Sequence, residues 1–250
     1  LSAAQAFLGE NIPSNIHVRP DCIVDKLLLS DDGGVCSGVK LANGEILRAE
    51  KEVILSAGSI GSVQILERSG IGRRDVLEKV GIPVKKELLG VGENLQDHLQ
   101  LRQVFEAQPG IPTLNTQLAT YVQQLLVGVQ YVANRTGPLS MAASQVCAFV
   151  RTRPEMTRPD VQFHLQPLSA STPGKGLDSY SAFTSSVCQL RPTSVGSIEV
   201  LSKNPFDAPV LCPNYLSTDE DQKCAVDALR YSRKLITETK NAKKRTKIVF

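Results

Sequence analysis

The feature that most constrains this chain is a run of small residues set between an apolar segment and a helix-forming one. Val53-Ile54-Leu55 is a short continuous apolar stretch, the pattern of a strand covered on both faces, and it passes through Ser56-Ala57 into Gly58-Ser59. A helix is expected over roughly 62–68, ended by Gly70 in a C-cap position. A strand that hands a small-residue turn to a helix N-terminus gathers free backbone N–H groups at one point. Such a point suits a phosphate, a sugar-alcohol hydroxyl or the edge of a flat cofactor, because no side chain blocks approach and the helix end is electropositive. Strand–glycine–helix junctions are also common as structure alone, so the pattern nominates Ala57, Gly58 and Ser59 without proving a site.

Other segments order themselves around this one. Residues 16–18 and 22–29 read as β-structure, Asp31-Asp32-Gly33-Gly34 as a turn, and 35–41 as a strand leading to Asn43-Gly44, the strongest short hairpin signal. A short helix is expected from Asp75 as N-cap to Val80, stopped by Gly81 and Pro83. Beyond about residue 100 the character changes. Leu118, Tyr121, Val122, Leu125, Val129 and Val132 fall at helical spacing, which predicts an amphipathic helix over 116–133. Residues 161–166 alternate strictly, as a half-buried strand does; 182–190 and 197–201 read as further, antiparallel strands. Ser217-Thr218-Asp219-Glu220 has the form of a capping box before a helix. The fold class expected is therefore α/β plus α+β, with a nucleotide-binding part over 1–100 and an antiparallel sheet with flanking helices over 101–250.

Composition excludes several classes. Of the 250 residues 42% are apolar and the net charge is only +3, which argues against a polyanionic partner. No run approaches the roughly 18 apolar residues of a membrane span. Six scattered cysteines without C-x-x-C spacing support neither a disulfide framework nor a metal site, and read as small buried residues in a reducing compartment. The basic tail from Lys240 to Lys247 lacks interleaved aromatics, and reads as solvated surface or as sequence off a damaged reading frame rather than as a nucleic-acid site.

The stretch from Gly58 to Gly72, followed by Gly90-Val-Gly-Glu93-Asn94-Leu-Gln-Asp97-His98, resembles the second signature of the glucose–methanol–choline (GMC) flavin oxidoreductases and the loop leading out of their flavin domain. Val63 stands where that signature usually has Pro or Ser. The segment Asn15-Ile-His-Val-Arg-Pro-Asp-Cys-Ile-Val24 is similar to the family as well, as are the turns at 188–198, 204–209 and 213–217. The resemblance implies FAD as cofactor and oxidation of a small alcohol to an aldehyde or ketone by hydride transfer to flavin. It makes the Val24 backbone, Ala57, Gly58, Ser59 and Asn94 the cofactor-binding candidates, although from the residues alone loop capping is the favoured role of Asn94 and Asp97. Gln162 and His164, sharing one polar strand face, become candidates for the alcohol pocket, with His164 able to serve in acid–base work near neutral pH.

The same resemblance implies a Gly-x-Gly-x-x-Gly fingerprint and a C-terminal catalytic His pair, neither of which this sequence contains. His17, His98 and His164 are its only histidines, so no residue is assigned as catalytic. The chain is expected to be an internal fragment, inactive alone. A quinone or a similar acceptor, or oxygen, would take the electrons; the expected compartment is the cytoplasm, with a peripheral place at the inner membrane compatible. Choline as substrate is disfavoured by the absence of Trp and by 5% aromatic content, since quaternary ammonium groups are held by aromatic faces. An FAD-containing hydroxynitrile lyase and a non-catalytic binding or structural module are the alternatives.

Overall fold

The computed structural model describes residues 2–108, 110–172, 175–238 and 246–248. In chain order its strands are β1 (Val24–Leu29), β2 (Cys36–Leu41), β3 (Ile46–Arg48), β4 (Ile71–Gly72), β5 (Lys86–Glu87), β6 (Leu101–Ala107), β7 (Val146–Val150), β8 (Val161–Gln166), β9 (Ala182–Gln189), β10 (Ser197–Glu199), β11 (Val210–Cys212) and β12 (Thr246–Ile248). Its α-helices are α1 (Gly58–Arg68), α2 (Arg74–Lys79), α3 (Leu114–Gln117), α4 (Tyr121–Asn134) and α5 (Asp219–Thr237). The chain divides into two compact units, Leu1–Leu95 with Ser197–Cys212, and Gln96–Gly196 with Pro213–Phe250.

In the first unit, β1, β2 and β3 form an antiparallel meander. The Asn43-Gly44 hairpin joins β2 to β3: Gly44 takes φ +91°, and the Asn43 side chain accepts the Glu45 N–H at 3.0 Å. Helix α1 begins at Gly58, one turn earlier than the spacing suggested, and Gly70 follows its end at φ +86°. A Cβ on Gly70 would lie 2.5 Å from the Pro83 carbonyl oxygen, so this turn requires glycine. Helix α2 is capped by Arg73 rather than Asp75, which sits in the first turn and ion-pairs with Arg73. The expected strand at 53–55 does not form. The segment is extended, but no described residue pairs with it, and Ile54 is 78% exposed. An extended segment becomes a strand only where a neighbour supplies the ladder. Residues 197–212 belong to this unit although they follow the second: the Ile198 N–H donates to the Gly92 carbonyl at 2.7 Å, and β10 pairs with β11. The units therefore differ in outline from a division at residue 100, and 197–201 does not extend the sheet that contains 182–189.

The second unit is built on a five-stranded antiparallel sheet of order β12-β6-β9-β8-β7. Val161, Phe163 and Val187 bury one face of it against Cys224 and Ala228 of α5. Helix α5 is capped by Thr218, whose hydroxyl accepts the Asp221 N–H at 3.3 Å, one residue later than the Ser217 position of a capping box. The periodic stretch 116–133 is two helices, α3 and α4, because Thr120 breaks to extended backbone and caps α4 in a box with Gln123. Lys247 lies in β12, opposite Glu106 of β6, so this end of the basic tail is strand. Lys240, Lys243, Lys244 and Arg245 lie outside the described residues. Of the cysteines only Cys188 and Cys224 are buried; Cys22, Cys147 and Cys212 are exposed and Cys36 is intermediate, so the expectation of uniformly buried thiols fails. Among the described residues no helix is long and apolar enough to cross a membrane.

Candidate functional site

The first group of candidates surrounds the start of α1. Ala57 occupies the N-cap with no side-chain hydrogen bond to the helix, and no acidic residue stands in the first turn. Gly58 has φ +76°, and a Cβ placed on it would meet nothing within 4 Å. Residues 56–60 are all exposed. The first amides of this 11-residue helix are thus uncapped, open and electropositive, the arrangement that small residues at 57–59 predict.

Val24 heads β1, opposite Leu41, and lies by the other end of the same helix. Arg68, buried, donates to the Val24 carbonyl at 3.4 Å and to the Asp25 carbonyl at 2.9 Å, and its Nε lies 3.5 Å from the Asp25 carboxylate. Burial lowers the Arg68 pKa against the stabilising pull of Asp25. Ser69 adds a bond from the Leu27 N–H at 2.8 Å. The structure therefore ties the strand carrying Val24 to the C-terminal end of α1, and leaves the Gly58 end free. Asn94 is exposed, with φ +59°, a conformation Asn tolerates better than most residues. Its neighbour Glu93 pairs with the Arg73 guanidinium, which also holds Asp75; these hydrogen bonds raise the Arg73 pKa. The motif loop is thus anchored to the start of α2.

The second group lies on β8. Gln162 and His164 share the sheet face opposite α5, both half-buried. Register places His164 between Cys147 and Ser186, and Gln162 between Phe149 and Cys188. The His164 Nδ1 lies 3.5 Å from the Cys147 Sγ, and the Ser186 hydroxyl donates to the Gln100 side chain at 2.6 Å. Burial pushes the Cys188 thiol pKa up. His98 and Asp97 belong to other contacts: the His98 ring meets the Leu190 carbonyl at 3.1 Å, and Asp97 accepts the Tyr215 hydroxyl. An enclosed cavity of this unit, about 20 Å³, is lined by Leu101, Val187 and Cys224 among others and touches neither Gln162 nor His164. It has room for about one water.

One residue escaped the sequence reading. Glu67 is fully buried in α1, where its Oε2 accepts the Val200 N–H at 2.7 Å. Burial pushes its pKa up to about 7, with the Val200 bond and Arg73 opposing and Glu199 adding to the rise. Its only signal was polarity in the wrong place, since Ile65, Glu67 and Arg68 are the buried residues of this helix.

An uncapped helix start after a small-residue turn, and an antiparallel sheet, are what the resemblance to the GMC oxidoreductases led us to expect. The chain belongs to that family: the two GMC oxidoreductase models, for its N- and C-terminal domains, match residues 1–100 and 192–249. Over 240 residues, 95% of the chain, it is 37% identical to the oxygen-dependent choline dehydrogenase of Vibrio vulnificus, of which it spans 42%. It is also 37% identical to the human mitochondrial choline dehydrogenase over 224 residues, covering 88% of this chain and 37% of that one. Among solved structures, a formate oxidase variant from Aspergillus oryzae, made to study FAD modification, superposes with a TM-score of 0.83 at 24% identity. The match covers 96% of this chain and 46% of that one. A fungal aryl-alcohol oxidase gives 0.68 at 19% identity, over 90% and 46%. The chain thus spans less than half the length of these relatives.

Proposed function

We propose that this chain forms part of an FAD-dependent oxidoreductase that converts an alcohol to its aldehyde or ketone. The reading treats the first unit as part of the FAD-binding domain and the second as part of the substrate domain. The observation that carries it is the open start of α1, where Gly58 at φ +76° leaves backbone amides free of any capping side chain. That geometry fits the anionic and hydroxyl-bearing parts of FAD.

In this reading Ala57, Gly58 and Ser59 present the α1 amides to the cofactor. The Val24 backbone holds its adenine and Asn94 supports the exit loop. Bound FAD supplies the hydride acceptor. Gln162 and His164 line the alcohol pocket, where the imidazole can hydrogen-bond the substrate oxygen. A quinone or another acceptor is the expected electron partner. A place in the cytoplasm, against the inner membrane where the acceptor is a quinone, accords with this reading.

The test is anaerobic addition of a panel of primary and secondary alcohols to the full-length protein, followed by the visible absorbance of the flavin. Bleaching by at least one alcohol is the expected result. A flavin that stays oxidised across the panel, or a protein purified without flavin that takes none up, would overturn the proposal.

A further inference from the structure

The contact between Cys147 and His164 follows from the strand register. β7 and β8 pair so that Ala148 stands opposite Phe163, and Cys147 opposite His164. Phe163 is fully buried in the core shared with α5, and Ala148 packs against that core. A slip of one residue would turn Phe163 out of it, so the core itself fixes Cys147 and His164 as directly opposed residues on the other face. Their contact is set within the sheet and does not depend on what covers that face. The Cys147 Sγ lies 3.5 Å from the ring Nδ1. An ordinary thiol holds its proton more tightly than an imidazolium does, so in the neutral pair sulfur is the donor and Nδ1 the acceptor. A neutral histidine that accepts at Nδ1 carries its own proton on Nε2. Ser186, the register neighbour on the other side, is committed elsewhere, its hydroxyl donating to the Gln100 side chain at 2.6 Å. Among the described residues, Cys147 is the one hydrogen-bond partner of the ring.

We propose that Cys147 is a positioning residue for the alcohol reaction: its thiol holds the His164 ring in one orientation, and in the tautomer that offers Nε2–H to the substrate oxygen. The inference rests on the reading of His164 as a residue of the alcohol pocket, and gives Cys147 itself no contact with substrate or flavin. Alanine at 147 would free the ring to turn about its side-chain bonds and to exchange tautomers. Serine would keep a donor at the same register position.

The test uses the full-length protein with FAD bound. It compares the unaltered sequence, Cys147→Ala, Cys147→Ser, His164→Gln, and the double variant Cys147→Ala with His164→Gln. The limiting rate of anaerobic flavin reduction is read with an alcohol that bleaches the unaltered protein. Cys147→Ala should slow it about tenfold, the scale of one lost hydrogen bond, and Cys147→Ser should retain most of the rate. In the His164→Gln background the alanine should cost nothing further, because Cys147 acts through the ring. The nitrogen-15 spectrum of His164, assigned by its loss in His164→Gln, should show the ring proton on Nε2, and a mixture of tautomers in Cys147→Ala. An alanine variant as fast as the unaltered protein overturns the inference. So does an equal loss in the His164→Gln background, or a ring proton on Nδ1 in the unaltered protein. If no alcohol bleaches the unaltered protein, the oxidoreductase reading falls and this inference with it; an indifferent Cys147 in a protein that bleaches normally removes this inference alone.

Discussion

The carboxylate of Glu67 accepts the backbone N–H of Val200 at 2.7 Å across a sequence separation of 133 residues, while its other oxygen, equally buried, has no hydrogen-bond partner among the described groups. One bond does not compensate a buried charge, so burial drives the pKa up to about 7.

A carboxyl group whose folded pKa lies above its unfolded value of 4.5 favours the folded state when protonated. Its contribution is complete below about pH 4.5 and is lost as pH rises through about 7. Thermal unfolding should therefore show a loss on the order of 2–3 kcal/mol over that window, from this residue alone. Glu67→Gln, which cannot ionise, should flatten that part of the profile and be the more stable form at pH 8. An unchanged profile in the variant would refute the assignment.

Gly92 admits no side chain. Its φ is +82°, and a Cβ would stand 2.3 Å from the Ile198 carbonyl oxygen. The Gly92 carbonyl meanwhile accepts the Ile198 N–H at 2.7 Å, so the two segments cannot separate to make room without losing that bond. Gly92→Ala should cost roughly 2–4 kcal/mol. Gly44→Ala, at φ +91° but with open space around it, should cost roughly 1 kcal/mol. Denaturant midpoints of the two variants check the contrast.

Asp221 titrates the other way. It is buried at the start of α5, and burial alone would raise its pKa. Hydrogen bonds from Ser194 and from the Thr193 amide and hydroxyl, at 2.8–2.9 Å, outweigh that and hold it well below the usual carboxylate range. Its stabilisation is present above the unfolded pKa of 3.8 and lost as pH falls toward the depressed folded value. Asp221→Ala should destabilise by about 2–4 kcal/mol at pH 7, because three donors are orphaned. The acid limb of the unfolding profile should also become shallower.

His164 and Gln162 can be separated by kinetics once the full-length protein is in hand. If the β8 face lines the alcohol pocket, His164→Gln should lower kcat/KM by roughly 10²-fold or more, the scale of an acid–base contribution. Gln162→Ala should act mainly on KM. Equal, small effects on both would place the pocket elsewhere.

What the sequence showed and hid follows from the range of the interactions. The β8 strand was legible to the residue because alternation is a local consequence of one buried face, and the Asn43-Gly44 hairpin because its backbone geometry is written in two residues. The turn at 57–59 was legible as small residues before a helix, although the helix proved to begin at Gly58. The apolar run at 53–55 was misread because a strand is a relation between segments, and none of the described residues pairs with it. The break between α3 and α4 turned on one threonine, Thr120, whose cap competes with an otherwise continuous helical period. Glu67 was invisible because its partner amide is far away in sequence and carries no side-chain signature.

The return of residues 197–212 to the first unit bears on how the protein is made. A ribosome releases residues 1–95 well before the segment that donates to Gly92 and Glu67, and at about 5–20 residues per second the gap of some hundred residues is roughly 5–20 s. During that interval the Glu67 side chain has no Val200 amide to bind and the Gly92 carbonyl no Ile198 donor. The nascent first unit would wait in a partly assembled form while the second emerges, and a chaperone has its opening then rather than after release.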